Sequence, residues 1–170
     1  APESMMSGPF GNISNSSRDV NYLPTCGKSF IAYHFANERA PNLHDLGHQL
    51  ESMFGFVDPK IFKDFVGDYV KFPSRIQWNT IGCGNTHVPP NGTSEYGYGN
   101  INVAMTNCPD WNPDGQNQQV KVDCHTWSPL ANCAHGQDSW ADGHGSWLMY
   151  WMQNMPGKSN QVSVRGHRLR

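Results

Sequence analysis

Apolar residues recur along this chain with two different periods, and the change of period divides it. Leu43, Leu46, Leu50, Met53 and Phe54 follow Pro41-Asn42 at helical spacing, which predicts an amphipathic helix stopped near Gly55. Asp58 and Pro59 punctuate a second helix, an N-cap residue followed by proline at the first helical position. Ile61, Phe62, Phe65, Val66, Tyr69 and Val70 form its predicted buried stripe, and Pro73 its end. A third helix is predicted from Trp147, Leu148, Trp151, Met152 and Met155, ahead of Pro156. Strand-like pieces are shorter: Phe30 to Phe35, Ile76 to Ile81, Ile101 to Met105 and Val120 to Val122. Over residues 74–137 these pieces alternate with Gly, Asn, Pro and Asp, predicting long loops of the kind that are functional or held by cross-links or metal.

The pattern predicts an α+β fold: a single disulfide-stapled domain of about three helices with short strands and long loops. Residues 1–28 read as an extended N-terminal arm, 29–156 as the compact domain and 157–170 as a mobile C-terminal tail. Charged residues make up only 15% of the 170 residues and the formal net charge is −2, so no basic stripe invites nucleic acid. No apolar run nears the roughly 20 residues of a membrane span.

None of the five cysteines forms a C-x-x-C pair, and their scatter suits disulfides in an oxidising compartment. Cys124 and Cys133 can close a small loop, Cys83 and Cys108 can pin the ends of the Gly/Asn-rich middle, and Cys26 is then the odd one. Sequons at Asn12, Asn15 and Asn91 agree with a secreted, extracellular glycoprotein, and the start Ala1-Pro2-Glu3-Ser4 suits a chain whose signal has been removed.

The sharpest chemistry lies in His44-Asp45-Leu46-Gly47-His48-Gln49-Leu50-Glu51. On a helix His44, His48 and Glu51 share one face, about 100° round from the leucine stripe. Two imidazoles one turn apart can both reach a single zinc ion. Gly47 lies beside that face, where a missing side chain lets another element approach. Glu51 itself or His87 is the candidate that completes the metal shell. His87 stands in Asn85-Thr86-His87-Val88-Pro89-Pro90-Asn91-Gly92, a stiff loop that can present a third ligand or a general acid/base.

His44 to His48 reads H-D-x-x-H, which resembles the H-E-x-x-H signature of the zincin metallopeptidases, with Asp45 where that family has glutamate. The resemblance implies histidine zinc ligands, a carboxylate base and a peptide substrate. Asp45 or Glu51 is the candidate base.

Three further features bear on function. His125, His135, Asp138, Asp142 and His144 form a Gly-rich tract able to wrap an ion. Asp110, Asn112 and Asp114, followed by Gly115, match the first half of a calcium loop, although Lys121 stands where an EF-hand needs glutamate. Trp78, Trp111, Trp127, Trp140 and the run Glu95-Tyr96-Gly97-Tyr98-Gly99-Asn100 either stack on sugars or fill the core.

Two functions fit. The leading one is a secreted zinc-dependent hydrolase, peptidase-like, with a helical His-x3-His-x2-Glu site. The alternative is a secreted module that binds glycans or cell walls through Trp/Tyr loops, its histidines structural or holding a structural metal. A peptide or glycan is the expected partner.

Overall fold

The computed structural model describes residues 4–8, 11–12, 31–34, 39–111, 117–128, 133, 143–155, 161–162 and 168–169. Among these the fold is mixed α and β, with four helices and small antiparallel sheets. Strand β1 (Ser4–Gly8) pairs on one side with β2 (Gly11–Asn12) and on the other with β3 (Ile31–His34). Helices α1 (Arg39–Val57) and α2 (Pro59–Val66) follow, then the hairpin β4 (Gly67–Phe72) and β5 (Arg75–Ile81). Next come β6 (Ala104–Thr106), a short 3₁₀ turn (Cys108–Asp110) and β7 (Val120–Val122), which pairs with β6. Helices α3 (Cys124–Trp127) and α4 (Gly145–Gln153) precede the small ladder of β8 (Gln161–Val162) and β9 (Arg168–Leu169).

Helix α2 begins where its punctuation predicts, whereas α1 starts at Arg39, two residues before Pro41, and runs past Gly55 to Val57. Pro41 falls in the first turn of α1, where its missing N–H costs nothing. At α2 the Asp58 carboxylate accepts from the Ile61 N–H at 3.0 Å, with Pro59 at the first helical position. The end of α2 corrects an expectation. The apolar period runs on through Tyr69 and Val70, but the helix stops at Val66 and both residues lie in β4. Gly67 makes the switch with φ +92°, and a Cβ there would lie 2.5 Å from the Gly82 nitrogen. The strand thereby leaves α2 hard against the end of β5.

The side of α1 that faces inward also differs from the leucine stripe. Leu43, Leu50 and Phe54 pack on the core, whereas Leu46 and Met53 are exposed. His44 and Asp45 are instead more deeply buried than any leucine of the helix. Its polar positions point into the molecule because the partners that satisfy them are there.

The core gathers Phe65, Tyr98, Val122, Trp127, Trp147, Leu148 and Trp151. Helix α4 packs against both α1 and α3, so it spans the core from the α1 side to the Cys124–Cys133 disulfide. Helix α3 is additional to the three helices that the apolar periodicity predicts. It is a single turn held by a reciprocal cap between Asp123 and Thr126. Among the described residues no helix is long and apolar enough to cross a membrane.

Candidate metal centre

Two imidazoles come from α1 and one from the loop after β5. The Nε2 atoms of His44 and His48 are 3.0 Å apart, and each is 3.1 Å from Nε2 of His87. The three nitrogens form a nearly equilateral triangle that could hold a metal ion. Three imidazole nitrogens so placed would suit an ion such as zinc, which takes nitrogen ligands at about 2.0–2.1 Å.

Each of these histidines is held from behind. Nδ1 of His48 lies 2.8 Å from Glu51 Oε2, Nδ1 of His87 lies 3.4 Å from Glu95 Oε1, and Nδ1 of His44 lies 2.8 Å from Nε2 of buried His144. A carboxylate can only accept, so the protons of His48 and His87 sit on Nδ1 and their Nε2 lone pairs face inward. If His44 donates through Nδ1 to His144, three lone pairs meet at about 3 Å with no proton between them. Such an arrangement is repulsive until a cation occupies its centre.

The electrostatics favour neutral imidazoles at His44, His87 and His144. Burial, and then the charges His48, His87 and His144 would carry, push His44 down to about 2. Burial does the same to His144, reinforced by His87 and His48, holding it at about 4. His87 is lowered by burial and by His48, against the opposing pull of Glu51 and Glu95. For Glu51, burial raises the pKa, but the hydrogen bond and charge of His48, with Thr86, lower it further, so the carboxylate stays ionised. Glu95 behaves likewise: burial raises it, while Lys71 and His87 bring it down, and Lys71 Nζ lies 2.7 Å from Oε2.

The loop that carries His87 is fixed from three directions. The carbonyls of Gly84, Asn85 and Thr86 accept from Trp151 Nε1 at 3.0 Å, Trp147 Nε1 at 3.1 Å and the Tyr98 hydroxyl at 2.8 Å. The Asn85 side chain accepts from the N–H groups of His87 and Val88 at 2.9 and 2.8 Å. The Thr86 N–H donates to Glu51 Oε1 at 2.8 Å, tying the loop to α1. Gly47 permits this approach: a Cβ there would stand 2.7 Å from Thr86 Oγ1.

The sequence-derived candidates therefore separate. His44, His48 and His87 come together. Glu51, expected as ligand or base, uses both oxygens behind the triangle, on His48 and on Thr86. Asp45 is 3% exposed, turned away from solvent beside His44. His144 serves the site through His44, a role that its Gly-rich tract did not reveal; His125 is exposed elsewhere, and His135, Asp138 and Asp142 lie outside the described residues. Cys124, Cys133 and His125 also approach one another, but the two sulfurs are spent on their disulfide.

No calcium site is found among the described residues. Asp110 accepts from the Gln118 N–H at 2.9 Å, and Asn112 and Asp114 lie outside them. The aromatic residues are committed as well. Trp127, Trp147 and Trp151 are buried, Trp111 packs edge-on to Phe65, and Trp78 donates to the Gly92 carbonyl at 3.1 Å; Trp140 is outside the described residues. Trp127, Trp147 and Trp151 thus build the core, and Trp111 packs against it. Asn91 is buried and its Nδ2 donates to the carbonyls of Asn100 and Asn102 at 2.6 and 2.8 Å, so this sequon is used within the fold. The side chain of Asn12, and all of Asn15 and Cys26, lie outside the described residues.

Comparison of the chain with protein-family models, curated proteins and solved structures finds no match.

Proposed function

We propose that this chain is a secreted zinc-dependent hydrolase in which His44, His48 and His87 are the metal ligands. One observation carries the proposal: three Nε2 atoms converge within 3.1 Å while each Nδ1 is held by a separate partner. Three imidazoles with an open fourth position favour zinc, a borderline-soft ion that accepts four-coordinate geometry. A zinc ion so held lowers the pKa of bound water and polarises a carbonyl. The residues supply neutral ligands, fixed tautomers and a rigid loop. A peptide bond or an ester is the substrate class this chemistry serves, and the disulfide supports an oxidising compartment.

The test is metal content by mass spectrometry for the wild type beside His44→Ala/His48→Ala, followed by hydrolysis of peptide and glycan-ester panels. About one zinc per wild-type chain, none in the variant, and activity lost to chelator and restored by zinc are expected. Failure of the wild type to take up metal after reconstitution sinks the proposal. Zinc that raises the melting temperature while no substrate turns over marks a structural site instead.

A further inference from the structure

Two non-glycine residues among those described adopt positive φ, Tyr96 at +62° and Asn117 at +52°. Asparagine visits this region readily, whereas a bulky aromatic is held there only by its surroundings. The Tyr96 N–H donates to the carbonyl of His87 at 2.7 Å, so the residue is pinned to a ligand histidine through the backbone. Its ring lies 4.7 Å from that of His87 and 6.1 Å from that of His44. The turned backbone thus lays the side chain over the histidine triangle, and the hydroxyl ends 3.4 Å from His87 Nε2.

That distance is informative. Around a four-coordinate zinc ion the fourth ligand stands about 3.3 Å from each nitrogen. The Tyr96 oxygen stands at about that separation from one of the three nitrogens, His87 Nε2, with its ring against the His44 and His87 imidazoles. A phenolic O–H is a hydrogen-bond donor. A fixed donor beside a metal stabilises an oxygen on which negative charge develops.

Resting on the zinc-hydrolase reading above, we propose that Tyr96 is a catalytic residue: its hydroxyl donates a hydrogen bond to the substrate oxygen held at the metal's open position. The substrate class is a carbonyl compound whose oxygen turns into an oxyanion on attack by water. The hydroxyl keeps its proton throughout, so no further acid or base is required of it.

The experiment uses cobalt(II)-reconstituted wild type and Tyr96→Phe, titrated with acetohydroxamate, an oxyanion-bearing chelating probe read in the visible spectrum. Both proteins are expected to bind one cobalt with the same spectrum before the probe is added. Hydroxamate affinity is expected to fall about tenfold or more in Tyr96→Phe, the loss of a hydrogen bond to a charged oxygen. Equal affinities overturn the proposal. A phenolate-to-metal charge-transfer band in the copper(II)-loaded wild type, absent from Tyr96→Phe, also overturns it, because the tyrosine is then a ligand. No cobalt uptake by the wild type removes the metal centre itself, a failure distinct from the other two.

Discussion

Glu51 shows how little chemical change the centre tolerates. Its two oxygens accept from two donors, Nδ1 of His48 and the Thr86 N–H. Glutamine has one oxygen and one NH2 group, so Glu51→Gln must abandon the loop or donate to His48. In the second case the imidazole proton moves to Nε2 and blocks the lone pair. Glu51→Gln is expected to weaken zinc binding about 10- to 100-fold, measured by competition with a chromophoric chelator. The buried histidines also give the metal-free protein a pH dependence. His44 and His144 are held below 6.5, at about 2 and about 4, so below pH 6.5 the unfolded chain binds more protons than the folded one. Their contribution is complete above 6.5 and is lost as the pH falls, down to about 4 for His144 and on to about 2 for His44. Melting in chelator is expected at lower temperature at pH 5 than at pH 7.5. A flat profile would contradict the buried neutral state.

At the level of elements, α1 and the His87 loop touch through a gap that only glycine leaves. In an exposed helix Gly→Ala is favourable by about 1 kcal/mol. Gly47→Ala is expected to reverse that sign, because the new methyl meets Thr86, a stiff β-branched side chain wholly buried under α1. A net destabilisation of about 1–3 kcal/mol with weakened metal uptake, read by chemical denaturation and chelator competition, is the expected result. An unchanged or raised midpoint would show that the loop gives way freely. Much of this arrangement is legible in the sequence. The i, i+4, i+7 spacing of His44, His48 and Glu51, the stiffness around His87 and the cap at Asp58 are local signals. What stays hidden depends on partners far along the chain. The rotation of α1 follows from Thr86 and His144, the early end of α2 from Gly82, and the burial of the tryptophans from the carbonyls they serve. Tyr69 and Val70 keep a helical period by coincidence, and no local signal at those two positions betrays the strand.

At the scale of the whole molecule, two buried thiols and the histidine triangle bracket the same region. Cys83 and Cys108 are buried thiols in hydrogen-bond contact within the core, and Thr106 Oγ1 bridges their neighbourhoods, donating to the Gly82 carbonyl at 2.7 Å and accepting from the Cys108 N–H at 3.1 Å. Joined, they would close a loop of about 25 residues that carries His87, Glu95 and Tyr96, an entropic stabilisation of about 3–4 kcal/mol. Protein folded with a disulfide-exchange oxidant is expected to yield a peptide cross-linked between Cys83 and Cys108. Full alkylation of both thiols under non-reducing denaturation would count against it. A metal bound by the histidines would act in the same direction, joining side chains 43 residues apart.

The three donors on consecutive carbonyls also set a clock. Gly84 and Asn85 are held by tryptophans 67 and 62 residues further on, and His44 is backed by a histidine 100 residues after it. During synthesis the ligands leave the ribosome long before the groups that aim them. Until residue 151 has emerged, His44, His48 and His87 are three ordinary imidazoles on a slack chain, with no advantage over any other histidines in the competition for metal. Capture of an ion would therefore wait until those later residues have emerged and folded back, and a chain interrupted before them would not trap an ion in an unfinished site.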